Sequence, residues 1–359
     1  MDQCKVSLEK IHDQRMQSLI IQSRVQVYEE GEKSSSFFLN QIKQNKRKST
    51  IKKLMDGDQE IVEQKKIMEK LQEFYSRLYD KQQNCDPGKW IDKLKEKNLI
   101  PQLSEQQRNS LDKKLEKDQL KKTLDECAKN KSPGNDGLTQ EFYDFFWNTI
   151  SDTLYESYLE FINIKKLSIS QRQNIISLLE KAGKDKTYIK NWRPISLINF
   201  DTKLLSKTYA NRLKEVMPTL VHPNQVAYVK NRFIGEGIRV IDKTMEFAQR
   251  KQLEAYAVAI DFEKAFDSVK WNFLFKTLER FNFGPNFIKW VKILYKNPIF
   301  RVKNNGWISK TCKMSRGIRQ GCPISALLYL FVAEILSLKL KDDLTLALRD
   351  TLSLKNALA

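Results

Sequence analysis

An α+β fold preceded by a helical N-terminal region follows from three features of the sequence. Residues 1 to about 130 carry apolar side chains at helical spacing between charged faces. From residue 132 onward, short β-branched runs alternate with helical stretches across dense turn clusters. Later still, Asn304-Asn305-Gly306 lies between Phe300-Arg301-Val302 and Trp307-Ile308, a sequence signal for a β-hairpin.

The elements follow in order along the chain. Lys5 to Tyr28 has Leu8, Ile11, Met16 and Leu19 at helical spacing. Gly31-Glu32-Lys33 breaks that run, and Ser34-Ser35-Ser36 can cap a second helix near Phe37. A basic stretch, Lys43 to Lys53, then leads to Met55-Asp56-Gly57-Asp58, a turn between two short strands. Gln64 to Tyr79 reads as an amphipathic helix, and residues 80 to 105, with Pro87-Gly88 and Pro101, read as a linker. Ser132 to Gly137 is a turn cluster, followed by a helix over Glu141 to Ile164. Strands are expected at Asn174 to Leu179 and Trp192 to Leu197, with a turn at Ala182 to Asp185 between them. A helix spans Lys203 to Met217. Ala255 to Ile260 has the character of a buried strand ending in Asp261. Helices begin near Ser268 and Gly284-Pro285, and Pro323 is placed to begin a buried helix.

The bulk composition narrows the function. The 359 residues hold 63 Lys and Arg against 44 Asp and Glu, a net charge of +19. Such an excess raises a positive potential that gathers polyanions, nucleic acid foremost and an anionic membrane second. The longest nearly apolar run, Ile324 to Leu336, is too short to cross a bilayer and contains Glu334. The first residues lack the apolar core of a signal peptide. Five scattered cysteines without a CxxC pair fit a reducing, intracellular compartment, cytoplasm or nucleus. With only two histidines, catalysis would rest on carboxylates and cations.

Two segments carry chemistry. In Ala259-Ile260-Asp261-Phe262-Glu263-Lys264-Ala265-Phe266-Asp267, an aspartate closes an apolar run. A carboxylate there can hold Mg²⁺ for phosphoryl transfer, or it can simply end the strand and cap the next helix. In Arg316-Gly317-Ile318-Arg319-Gln320-Gly321-Cys322-Pro323, glycines flank a polar triplet, so backbone can approach a flat ligand. A plain turn leading into a helix would have the same pattern.

Together these segments resemble motifs A and B of the reverse transcriptases. Lys131-Ser132-Pro133-Gly134-Asn135-Asp136-Gly137-Leu138, Lys181-Ala182-Gly183-Lys184-Asp185 and Asn191-Trp192-Arg193-Pro194-Ile195-Ser196-Leu197 are similar to earlier blocks of the same family. Gly31-Glu32-Lys33, Phe37-Phe38, Phe74-Tyr75 and Leu78-Tyr79 resemble the region that precedes them in LINE-type, non-LTR retrotransposons. The resemblance covers roughly residues 20 to 340, in order.

The resemblance implies a right-hand polymerase. Residues 1–110 would be a helical, basic N-terminal region, 111–254 the fingers, 255–340 a partial palm, and 341–359 a tail unlike the family. It implies RNA-directed DNA synthesis with Mg²⁺, on an RNA template and DNA primer, from deoxynucleoside triphosphates. Asp261 would be the catalytic metal ligand, with the backbone carbonyl of Phe262 beside it. Lys181 and Arg193 would clamp the triphosphate. Phe266 would lie under the incoming sugar and exclude a ribose 2′-hydroxyl, and Gln320 and Gly321 would border nucleotide and template. Arg319 would support the loop or a phosphate.

The pattern departs from the family in places. No aromatic-x-Asp-Asp tetrapeptide occurs in these residues; Lys341-Asp342-Asp343-Leu344 lacks the aromatic and reads as a solvated helix end. Glu180 stands where relatives carry proline. Gln225-Val226-Ala227-Tyr228 and Asn231-Arg232 also differ from the pattern, as in a decaying copy. The resemblance therefore implies a polymerase fragment inactive by itself, with a non-catalytic RNA- or hybrid-binding module, or the product of a decayed insertion, as the alternatives.

Overall fold

The computed structural model describes residues 14, 50–80, 88–254 and 256–357, with side chains through 343. The helix expected over Lys5 to Tyr28, the capped helix near Phe37, and most of the basic stretch from Lys43 lie outside the described residues.

Two short strands, β1 (Leu54–Asp56) and β2 (Gln59–Ile61), form the expected hairpin, with Gly57 at a positive φ in the turn. Helix α1 (Gln64–Leu78) follows, burying Ile67, Met68, Leu71 and Tyr75 at helical spacing. The stretch expected as a linker contains α2 (Gly88–Glu96), which buries Ile91 and Leu94. The i, i+3 pair Ile91 and Leu94 enters the main core.

Helices α3 (Glu105–Asp112) and α4 (Lys117–Asp125) come next. Ser104 and Gln107 close a reciprocal cap at the start of α3, satisfying otherwise orphaned N–H groups. The single helix expected over Glu141 to Ile164 is two, α5 (Gln140–Phe145) and α6 (Trp147–Ile164), which break at Phe146. A short α7 (Ile169–Arg172) precedes β3 (Gln173–Glu180). Strand β4 (Trp192–Leu197) has the bounds read from sequence, and α8 (Phe200–Leu220) extends the expected helix at both ends. After α9 (Ile234–Arg250) come α10 (Trp271–Arg280) and α11 (Pro285–Leu294), the latter with Pro285 at its first turn. Strands β5 (Ile299–Asn304) and β6 (Trp307–Ile308) turn through Asn305 and Gly306, both at positive φ. β7 (Cys312–Lys313) and α12 (Ser325–Ala357) complete the chain. Lys341 to Asp343 therefore lie within α12 and do not end it; Asp342 pairs with Lys97 at 2.7 Å.

The architecture is α+β. In the larger sheet β3 is central, antiparallel to β4 and parallel to β5, and β5 pairs in turn with β6 and β7. A main core of helices runs from Ile91 to Ile335 and includes Leu204, Leu213, Phe281, Phe287 and Phe331. Residues 91 to 103, expected in the N-terminal region, pack in this core. A second core joins Ile51, Leu71 and Tyr75 to Ile176, Trp192 and Phe300 of the sheet. No helix among the described residues is long and apolar enough to cross a membrane.

One expectation fails outright. The run ending in Asp261 forms no strand, and Tyr256, Val258 and Ile260 are 89%, 80% and 62% exposed. Both edges of β3 are already taken by β4 and β5, and the run pairs with no described strand. A single strand without a ladder partner leaves its N–H and C=O groups to water.

Candidate active site

The site is organised by the glycine-flanked loop before α12. Gly317 has φ of 88°, and a Cβ there would lie 2.9 Å from the Asp267 carbonyl oxygen. Only glycine permits both the turn and that approach. The Gly317 N–H donates to Val269 O and the Ile318 N–H to Phe266 O, both at 2.8 Å. Trp271 Nε1 donates to Gly317 O, also at 2.8 Å. On the far side of the loop, the Ser196 N–H of β4 donates to Gln320 O at 2.7 Å. A Cβ on Gly321, at φ of 108°, would come 2.7 Å from the Ser196 carbonyl oxygen. The loop is thus stitched between residues 266–269 and the sheet.

This places several of the expected site residues together. Phe266 stacks on Tyr329 of α12, centroids 4.9 Å apart and planes 16° apart. Gln320 and Gly321 lie against β4, which also carries the exposed Arg193, opposite Leu179 of β3. Lys181 follows β3 directly; its ammonium donates to Lys190 O at 3.0 Å. Glu180 faces Lys186 at 2.5 Å. Arg319 is buried and does not reach out for a phosphate. Its guanidinium donates to Leu294 O and lies over the Tyr295 ring, so it supports the loop.

The acid at the centre of this arrangement is Asp267, only 2% exposed, which accepts a hydrogen bond from Tyr79 Oη at 2.7 Å. Burial pushes its carboxyl up from the ordinary aspartate range; the Tyr79 hydroxyl and the nearby Lys264, Arg316 and Lys181 charges work against that rise. Lys264, at φ of 52°, rests its ammonium 4.7 Å from the centre of the Phe74 ring and is pushed down by burial. The α1 end is tied in through Ser315 N–H to Tyr79 O and Arg316 Nε to Leu78 O, both at 2.8 Å.

Asp261 and Phe262 stand apart from this packing. Both are exposed, on backbone that belongs to no strand. Among the described residues no group of three or more His, Cys, Asp or Glu gathers where a metal ion could be held. A two-Mg²⁺ centre needs several carboxylates fixed on rigid backbone, and one acid on an unpaired segment does not fit that requirement.

Comparison with known proteins settles the relationship. Residues 179–350 match the reverse transcriptase (RNA-dependent DNA polymerase) family. The chain is 33% identical over 344 residues to the transposon TX1 uncharacterized 149 kDa protein of Xenopus laevis, covering 95% of this chain and 26% of that protein. It is 25% identical over 214 residues to the Pol polyprotein of the type-1 retrotransposable element R1 of Bradysia coprophila, covering 58% and 20%. With the R2DM Pol polyprotein of Drosophila melanogaster it shares 23% over 155 residues, covering 43% and 14%. The chain belongs with the reverse transcriptases of non-LTR retrotransposons. It spans about a quarter or less of the length of these relatives.

Within this reverse transcriptase region fall Lys181, Arg193, Asp261, Phe266, Gln320 and Gly321. Sequence reasoning missed Asp267 and Lys264, although both lie in the nonapeptide that was singled out. The signal available was the second aspartate, Asp267, directly after an aromatic residue. What decides its role is Tyr79, 188 residues away, and no local pattern reports that contact.

Proposed function

We propose that this chain is the nucleotide- and template-binding part of an RNA-directed DNA polymerase: the fingers and part of the palm of a right hand. The observation that supports it best is the loop Gly317 to Gly321, held between residues 266–269 on one side and β4, the strand of Arg193, on the other, with Lys181 directly after β3, the partner of β4. In this reading the two cations pair with the triphosphate oxygens of a deoxynucleotide. Phe266, backed by Tyr329, excludes a 2′-hydroxyl, and Gln320 and Gly321 border the nucleotide and the RNA template. Asp261 and the Phe262 carbonyl, to which the family resemblance would assign Mg²⁺, stand apart from this cluster.

Among the described residues Asp261 belongs to no group of three or more His, Cys, Asp or Glu that could hold a metal ion. The purified 359-residue chain is therefore expected to give no primer extension on poly(rA) with oligo(dT) and dTTP. Incorporation abolished by Asp261→Ala would overturn that expectation.

A second reading, a module that binds RNA or hybrid duplex without turnover, is favoured by the net charge of +19. Binding should fall steeply with salt as counterions are released. An affinity that ignores salt would remove this reading.

A further inference from the structure

A hollow of about 740 Å³ lies over one face of α11, within the range of about 300–1,000 Å³ typical of pockets that enclose a ligand. Pro285, Lys289 and Lys292 line it at i, i+4 and i+7, and Lys296 extends the stripe just beyond the helix. Arg108 of α3 lines it as well, as does Lys165, the left-handed residue that ends α6 at φ of 53°. None of the residues proposed to meet nucleotide or template is part of this lining.

Five cations thus face one hollow. Glu279 is the one carboxylate among its described lining residues, and it reaches Lys292 at 3.4 Å. Among the described residues Arg108, Lys165, Lys289 and Lys296 form no ion pair with a carboxylate. Like charges gathered in this way repel one another and attract an anionic partner. A second observation is independent of charge. Between the cations the wall is apolar: Pro285, which is exposed, and the outer edges of Phe283, Ile288 and Ile293. Lysine stems add to such a surface while their ammonium groups stay in water. Phe283 is only 4% exposed, so its ring offers no face on which a base could stack, and a sugar–phosphate backbone has nothing apolar to set against Pro285. A polypeptide carries carboxylates and aliphatic side chains together.

We propose that this hollow docks an acidic segment of a partner protein. One bulky aliphatic side chain rests on Pro285 and the edge of Ile288, and carboxylates on either side pair with Arg108, Lys165, Lys289 and Lys296. The apolar contact supplies affinity, and the surrounding charges supply orientation and a fast encounter. Glu279 opposes the same segment, because its charge has the sign of the ligand's.

The probe is a fluorescein-labelled peptide, Glu-Asp-Glu-Leu-Asp-Glu with blocked ends, followed by anisotropy on the full chain. The same peptide with Gly in place of Leu and a single-stranded oligo(U) RNA are measured beside it. The leucine peptide is expected to bind, and the glycine peptide to bind about fivefold more weakly, as for a partly buried side chain. Lys289→Glu and Lys296→Glu should each weaken the leucine peptide about fivefold, the scale of a charge pair lost at a rim. Glu279→Gln, on an exposed side chain, should strengthen it about twofold, and this gain of binding stands as the test even where a lysine variant fails to fold. Binding indifferent to Glu279→Gln and to both lysine variants overturns the proposal, as does equal binding of the two peptides. Oligo(U) binding that Lys289→Glu weakens as much as it weakens the leucine peptide also overturns it, because the face then belongs to nucleic acid. Failure of the leucine peptide to bind removes it outright.

Discussion

Helices α9 and α10 are both strongly amphipathic, yet they end in opposite circumstances. In α10, Leu274, Thr277 and Leu278 are buried against the main core. In α9 no residue is buried, and Ile234, Ile238, Ile241 and Met245 lie more than half exposed in a stripe at helical spacing. Tyr256, Val258 and Ile260, which follow α9 in the chain, are likewise exposed, with a strand's alternation. The contrast teaches that amphipathic pattern specifies which face is to be covered, whereas tertiary packing decides whether it is. That exposed run leads directly into Asp261, which is exposed as well.

This contrast can be broken by experiment. Phe331→Ala, in the packed region, should cost about 3–5 kcal/mol, read by urea unfolding. If Met245→Ala costs as much, α9 is not the uncovered surface described above. Next in size is Tyr79→Phe, which strands the buried Asp267 carboxylate and should cost about 1–3 kcal/mol.

The pH dependence sharpens the same point. The Asp267 carboxyl is raised in the folded protein, so its contribution to stability is full below the ordinary aspartate value and is lost as pH rises through the raised value. The melting temperature of Asp267→Asn relative to wild type should therefore improve as pH rises from acid toward neutral. A flat difference would contradict the burial described.

Limited proteolysis with chymotrypsin should cut first at Tyr256 or Phe262, identified by mass spectrometry. A first cut elsewhere in residues 263–343 would reverse the comparison. The smallest effect is expected for Ile241→Ser, within about 0.5 kcal/mol in stability, while dye binding to apolar surface falls.

Much of the fold was legible because local rules fixed it. β4 has the expected bounds, the Asn305-Gly306 turn needs two positive φ values, and Pro285 starts α11. α2 was hidden because a short helix between two prolines reads as a linker until a core is there to receive Ile91 and Leu94. The strand at 256–260 was misread for the converse reason: its alternation records a face, and the partner that would cover it is not written in those residues. The loop around Gln320 was legible from its glycines, whereas the burial of Asp267 depends on Tyr79 from α1's end and could not be.

Phe266 is fixed at both its carbonyl, by Ile318, and its ring, by Tyr329. Asp261 lies five residues upstream, so a fully stretched chain keeps it within about 18 Å of that anchor. The acid is leashed: whatever orders the segment has only to aim it, because the search through solution has already been done by the covalent backbone.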